Sequence, residues 1–150
     1  MYEISVEKSF EAAHYLRGYK GKCENLHGHR YTIVVKVSAE KLNDIGLAYD
    51  FTDLKKYLGE ILDRYDHTCL NDVKPFDKIN PSAENLAATI YKELKKSLDS
   101  ARDKSLDAAR SKLAKEVAAP ELSAVEVWEN PQQGVEYRPE QHTISGRFKK

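Results

Sequence analysis

The segment at residues 22–31, KCENLHGHRY, concentrates residues that can bind a metal ion or move a proton. It contains Cys23, His27 and His29 in a chain with only five histidines and two cysteines. On a strand, residues i and i+2 point to the same side, so His27 and His29 can reach one ion. A hairpin partner strand ending at His14 would add the third imidazole that is typical of a catalytic zinc site. The alternative is that this His-x-His pair lies on the surface or in the core and binds no metal.

Cys23 has two alternative uses beside such an ion. It can close a structural site as a fourth ligand, or it can act as a base or nucleophile, because a nearby cation favours the thiolate. Structural zinc sites usually carry paired cysteines at short spacing, and this chain has none. The catalytic interpretation of Cys23 is therefore favoured.

Two acidic residues elsewhere are candidates for the same chemistry. Asp66 directly precedes His67 in YDHTCLN, and a carboxylate that orients an imidazole makes a proton shuttle. The alternative is a charged pair at the end of a helix.

Glu129 lies in the predicted strand VEVWENP, where alternation places it on the side of Val125 and Val127. A carboxylate there is costly unless it is paired, so Glu129 is a candidate anchor for a ligand.

Charge and composition exclude some partners. Lys+Arg and Asp+Glu both number 24, so no net field favours nucleic acid or an anionic membrane. An anionic ligand would need a local cluster, and the basic residues near the histidines are either that cluster or a solvated loop: Arg17, Lys20, Lys22 and Arg30.

There is no signal-peptide pattern and no run of about 18 apolar residues. Two cysteines allow one Cys23–Cys69 bridge but no disulfide framework, and we expect a cytoplasmic protein.

The hydrophobic pattern predicts an α+β fold. Strands are expected at residues 2–14, 30–42, 122–130 and 134–139, with a short strand end at 47–51, and helices at 52–67 and from 82 to about 116. This order predicts a four-stranded antiparallel sheet with two helices on one face, in a single domain covering residues 1–150. The open sheet edges argue for oligomerisation.

Five segments in this order resemble the 6-pyruvoyltetrahydropterin synthase family: FEAAH, CENLHGH, DH followed by LN, NPSAEN and WEN. The nearest branch is that of the 6-carboxytetrahydropterin synthases of queuosine and deazapurine biosynthesis. The resemblance covers residues 1 to about 98 and about 121–139. It implies the tunnelling fold, in which sheets join into a barrel on oligomerisation, usually as a hexamer.

The resemblance also implies the parts of an active site shared between subunits. These are Zn²⁺ on His14, His27 and His29, Cys23 as the proton-abstracting base, Asp66 with His67 as its relay, and Glu129 as the anchor of the pterin ring. The implied substrate is 7,8-dihydroneopterin triphosphate. The implied products are 6-carboxytetrahydropterin, acetaldehyde and triphosphate.

Two departures and three alternatives accompany this resemblance. Residues 97–120 form a longer and more charged link than the family usually has, which predicts a helical insertion, and NPSAEN differs mildly from the usual helix start. One alternative is the pyruvoyl synthase, which eliminates triphosphate from the same substrate. A second is a three-histidine zinc hydratase or hydrolase without a need for Cys23 or Glu129. The third is a non-enzymatic binding module stabilised by zinc.

Overall fold

Five strands and two helices make up the part of the chain that the computed structural model describes, residues 1–108 and 120–140. In chain order they are β1 (Tyr2–His14), β2 (His27–Ala39), α1 (Phe51–Leu62), β3 (Thr68–Cys69), α2 (Ala83–Ala108), β4 (Glu121–Asn130) and β5 (Gln133–Tyr137). The sheet order is β3-β1-β2-β4-β5, and both helices pack on one face. The α+β class is confirmed. The predicted count of four strands was wrong, because it missed β3.

The two long strands β1 and β2 pair along their whole length, as predicted. Their antiparallel register sets His14 opposite His27 and Ala12 opposite His29. Alternate residues of β2 are buried from Tyr31 onward, as period-two burial on one face requires. The end of β1 and the start of β2 therefore bring all three motif histidines to one place.

Helix α1 begins at Phe51, so the strand end predicted at residues 47–51 was wrong. Asp50 has an extended backbone, and its carboxylate accepts a hydrogen bond from the Thr52 N–H at 2.7 Å. An aspartate in this position satisfies an amide that the first helical turn leaves free. The capping residue therefore starts the helix where an aromatic and apolar run had indicated a strand.

Strand β3 is only two residues long and runs parallel to β1, so the sheet is not purely antiparallel. The turn that precedes β3 is attached to β1, because the His67 N–H donates a hydrogen bond to the Glu11 carbonyl at 2.6 Å. His67 has φ 57°, a left-handed conformation that costs free energy in a residue with a Cβ. The pairing of β3 with β1 thus fixes the backbone at the predicted relay residue.

Helix α2 begins at Ala83, one residue after the predicted start at residue 82. The Ser82 hydroxyl accepts a hydrogen bond from the Asn85 N–H at 3.3 Å, and the helix continues to Ala108. The remainder of the predicted helix, which belongs to the charged segment 97–120, lies outside the described residues, and so do residues 141–150. Neither helix, over the described residues, has a stretch long and apolar enough to cross a membrane.

The core lies between the helices and the inward face of the sheet. Its largest fully buried side chains include Tyr31, Tyr65, Phe76, Ile33, Leu54, Leu58, Leu86 and Ile90. The opposite face of the sheet is polar: Lys36 on β2 forms ion pairs with Glu126 on β4 and Glu136 on β5. The histidines of β2 share the inward face with the core, at the end of the strand where the side chains are only partly buried.

Candidate metal centre and active site

The three motif histidines form one cluster at the junction of β1 and β2. Each offers a nitrogen, and these nitrogens all lie within 4.8 Å of one another. The His14 side chain is only 2% exposed, and its ring stands edge-on to both His27 and His29. Beneath them, the ring of buried Tyr31 is edge-on to His14 and His29. The cluster is therefore built on two paired strands and supported by the core.

Hydrogen bonds to backbone carbonyls determine which ring nitrogen of His14 and of His27 is left unprotonated. His14 Nδ1 lies 2.8 Å from the Pro81 carbonyl oxygen, and His27 Nδ1 lies 2.7 Å from the Asn25 carbonyl oxygen. Carbonyls only accept, so both Nδ1 atoms carry the proton and both Nε2 atoms present a lone pair. Metal-binding histidines commonly show this arrangement, in which the second nitrogen donates to a backbone carbonyl.

The two free nitrogens, His14 Nε2 and His27 Nε2, face each other at 3.0 Å. Two lone pairs at this distance repel unless a cation lies between them. Nitrogens bound to one tetrahedral zinc ion would lie about 3.3 Å apart. The donor set thus fits a metal that prefers imidazole, with His29 as the third ligand. Zinc is one such metal.

Burial keeps the imidazoles of His14 and His29 in the form that binds a metal. Desolvation lowers the pKa of His14, and the neighbouring His27 lowers it further, against the opposing effect of the Pro81 carbonyl. Desolvation also lowers the pKa of His29. Both rings are consequently neutral at neutral pH, and a neutral imidazole is the form that ligates.

Glu129 lies beside the cluster at the end of β4. Its side chain is 22% exposed, and its Oε1 is 3.9 Å from His14 Nε2. The alternation that places Glu129 on the side of Val125 and Val127 was predicted correctly, since both valines are fully buried. At 3.9 Å the carboxylate is too far away to bond to His14, so its oxygens can accept hydrogen bonds from a ligand.

Cys23 lies in a short 3₁₀ turn, Lys22–Glu24, just before β2. Its thiol is partly buried and free, and so is that of Cys69, so the Cys23–Cys69 bridge that the sequence allows is not formed. The Cys23 carbonyl accepts a hydrogen bond from the Leu16 N–H at 2.9 Å. This bond ties the cysteine turn to the segment that follows His14 in β1.

Asp66 and His67 form an ion pair, with 2.9 Å between Asp66 Oδ2 and His67 Nδ1. The other carboxylate oxygen of Asp66 accepts the Glu11 N–H at 2.9 Å. The Glu11 N–H, followed by His67, lowers the pKa of Asp66, and Asp66 raises the pKa of His67. The contact between the imidazole and its neighbouring carboxylate fits both the proton shuttle and the charged pair at a helix end, so the relay role stays a prediction.

The pair and the cluster share a groove but no bond. The His67 side chain is 76% exposed, and it borders this groove together with His29, Arg30 and Cys69. Among the described residues, no hydrogen bond or ion pair links Asp66 or His67 to Cys23 or to the three histidines.

Three further residues near the cluster were missed from the sequence. Pro81 supplies the carbonyl that holds His14, and the side-chain amides of Asn71 and Asn80 bind the backbone of the segment after His14. Arg17, one of the basic candidates, donates to three backbone carbonyls and so serves the loop rather than an anion. An Asn-Pro pair and a Leu-Asn pair were the available signals, but neither reveals a long-range amide contact.

Residues 3–140 match the sequence model of a protein family described as 6-pyruvoyl tetrahydropterin synthase. The chain belongs to this family. A 6-carboxy-5,6,7,8-tetrahydropterin synthase of Bacillus subtilis is 31% identical to this chain over 150 residues. The match covers 97% of this chain and 90% of that protein. A 6-pyruvoyl tetrahydrobiopterin synthase of Dictyostelium discoideum is 40% identical over 80 residues, 52% of this chain and 59% of that protein.

A solved structure agrees with this membership. The 6-pyruvoyl tetrahydropterin synthase of Caenorhabditis elegans matches with a TM-score of 0.68 and 28% identity, over 93% of this chain and 98% of that one. The resemblance inferred from the sequence motifs is therefore confirmed, and the chain is a member of an enzyme family of tetrahydropterin synthases. The catalytic and binding roles of the seven site residues stay predictions.

Proposed function

We propose that this chain is a zinc-dependent 6-carboxy-5,6,7,8-tetrahydropterin synthase. It would convert 7,8-dihydroneopterin triphosphate and one water molecule to 6-carboxytetrahydropterin, acetaldehyde and triphosphate, as a cytoplasmic step of queuosine or deazapurine biosynthesis. The observation that carries the proposal is the convergence of three imidazole nitrogens within 4.8 Å, in a chain whose near-complete length matches a 6-carboxytetrahydropterin synthase.

In the proposed reaction, each group of site residues has its own role. Glu129, with its oxygens free beside the cluster, would accept hydrogen bonds from the N–H groups of the pterin ring. The Cys23 thiolate would remove a proton from the substrate side chain, and His67 would return protons. Zinc, held by His14, His27 and His29, would supply Lewis-acid polarisation of the side-chain oxygens when bound.

The site would be completed by a second subunit. Asp66 and His67 form an ion pair whose imidazole is 76% exposed, at a groove that His67 shares with His29. Among the described residues, no hydrogen bond or ion pair links this pair to Cys23 or to the histidines. We therefore propose a homo-oligomer, a hexamer with its sheets joined into a barrel, in which the relay pair of one subunit serves the Cys23 of another.

The 6-pyruvoyl synthase is a second candidate, favoured by the relative from Dictyostelium discoideum at 40% identity. It would use the same metal ligands and base to eliminate triphosphate. Its product would keep the three-carbon side chain instead of releasing acetaldehyde. The two candidates therefore differ in a volatile product that can be measured directly.

Product analysis tests the proposal. Zinc-loaded protein is incubated with 7,8-dihydroneopterin triphosphate, beside Cys23→Ala and beside Cys69→Ser as a matched cysteine control. Acetaldehyde and 6-carboxytetrahydropterin, absent with Cys23→Ala and retained with Cys69→Ser, are the expected result. A pyruvoyl pterin with triphosphate would move the assignment to the second candidate. No turnover by protein with bound zinc would reject the substrate.

A further inference from the structure

Two asparagine side chains hold the three residues that follow His14 in the chain. Asn71 accepts the Tyr15 N–H at 3.0 Å and donates to the Tyr15 carbonyl at 2.9 Å. Asn80 does the same for Arg17, at 2.8 Å from the N–H and 2.9 Å to the carbonyl. A primary amide carries one acceptor and one donor group at the spacing of a peptide. Each asparagine therefore binds one residue as a neighbouring strand would.

The residue between these two faces the cysteine turn. Tyr15 and Arg17 bond to the asparagines. The Leu16 N–H between them donates instead to the Cys23 carbonyl at 2.9 Å. The chain of contacts thus runs from two amides, through Leu16, to the backbone of Cys23.

The anchors themselves are well fixed. Asn71 is only 3% exposed and lies in the 3₁₀ turn Leu70–Asp72 that follows β3. The Asn80 carbonyl accepts a hydrogen bond from the Asn85 side chain on α2 at 2.9 Å. The segment after His14 is consequently held by the sheet edge through one asparagine and by the start of α2 through the other.

We propose that Asn71 and Asn80 are positioning residues that set the place of Cys23 relative to the three histidines. This rests on the proposed function, in which the Cys23 thiolate removes a substrate proton. A proton transfer requires donor and acceptor within hydrogen-bond reach, and a displacement of about 1 Å can cost about 100-fold in rate. The two amides would act on the rate through Cys23, without touching the substrate.

Asn80→Ala is the sharper test, because Asn80 is less buried than Asn71. Its matched control is Asn43→Ala, which removes an amide that also binds backbone N–H groups, those of Ile45 and Leu47, in a different loop. All proteins carry Cys69→Ser, so that iodoacetamide reports on Cys23 alone. For each, bound zinc, the rate of Cys23 alkylation, kcat and KM are measured at a temperature where the protein is folded.

For Asn80→Ala we expect full zinc binding, a KM within about twofold, an alkylation rate changed at least about threefold, and a kcat lower by about 10- to 100-fold. Asn80→Asp, which keeps the acceptor for the Arg17 N–H, should lie between the alanine variant and the parent. Asn43→Ala should match the parent.

Two outcomes would overturn the inference. In the first, Asn80→Ala leaves both alkylation and kcat unchanged. In the second, Asn80→Ala loses zinc, which would mean that it acts through His14 and Pro81 instead of Cys23. Failure of the proposed function itself is distinguishable, because the parent would then not turn over the substrate, while the alkylation comparison would still report on the position of Cys23.

Discussion

His14 and His27 each give their Nδ1 proton to a backbone carbonyl, which leaves two unprotonated nitrogens 3.0 Å apart. The arrangement is unfavourable without a cation and favourable with one, so metal binding and local order are coupled at these residues. The core beneath them, however, is apolar and continuous. The fold should therefore depend on the metal far less than the site does.

Zinc removal is expected to separate these two effects. Chelation should abolish activity and lower the melting temperature by about 5–10 °C, since a ligand at 100 times its Kd stabilises by about 2.7 kcal/mol. The far-UV circular dichroism at 25 °C should stay unchanged. A protein that unfolds on chelation would instead be the zinc-stabilised binding module that the sequence allowed.

A second residue-scale prediction concerns His67, whose pKa is raised by Asp66. The raised pKa keeps the imidazole protonated to higher pH, so Asp66→Asn should lower the midpoint toward the usual value of about 6.5. The basic limb of the kcat/KM profile should move to lower pH in the same direction. A ¹H NMR titration of His67 measures the midpoint directly.

The control for this titration is Asp99→Asn, which removes an exposed carboxylate paired with Lys95 instead. It should leave the His67 midpoint where it is. Asparagine at position 66 keeps an oxygen to accept the Glu11 N–H, so the backbone at His67 should hold. An unchanged midpoint in Asp66→Asn would show that the carboxylate does not control this imidazole.

At the scale of elements, the β4–β5 hairpin contains a close approach between Gly134 and the Trp128 indole. A Cβ built on Gly134 would lie 2.5 Å from Trp128 Cε3, so the indole covers the glycine backbone directly. Gly134→Ala should therefore reduce the free energy of unfolding by about 1–3 kcal/mol through overpacking. Chemical denaturation gives the value.

The cause is tested by a double-mutant cycle with Trp128→Ala. Without the indole, the added methyl group has no clash, and most of the Gly134→Ala cost should disappear. An equal cost in both backgrounds would point to the backbone of Gly134 and not to the indole.

Elements with strong periodicity were predicted from the sequence, and short ones were not. The alternation in β1 and β2 and the helical spacing in α1 reflect burial, which leaves a direct trace in residue type. Strand β3 has two residues and no period, and its pairing depends on the left-handed turn at His67. The segment at 47–51 was assigned by its apolar content, although Asp50 is a capping residue that already indicated a helix start.

The candidate site shows the same division. The His-x-His spacing and the hairpin predicted that His14, His27 and His29 meet, because a strand register follows from alternation. The carbonyl of Pro81 and the amides of Asn71 and Asn80 act from a loop distant in sequence. Their contacts depend on how that loop lies against β1, which no local pattern specifies.

At the scale of the whole molecule, the proposed oligomer predicts complementation. Cys23→Ala and His67→Ala should each be inactive alone. After joint refolding, about a quarter of the sites should combine an intact Cys23 with an intact neighbouring His67, if subunits mix at random in a symmetric assembly. Steady-state turnover should recover to about that fraction. No recovery, with mixed oligomers shown by mass, would mean that each chain supplies its whole site.

Strand β2 carries two of the three proposed metal ligands and also the centre of the core, in one alternating pattern. Every second residue from His27 points inward, first the two histidines and then core side chains: His27, His29, Tyr31, Ile33, Val35 and Val37. Inserting or deleting one residue near Gly28 would turn one of these sets to the opposite face. The length of this strand can therefore change only in steps of two. Substitutions can tune the site and the core separately, but a single-codon insertion or deletion would remove one of them.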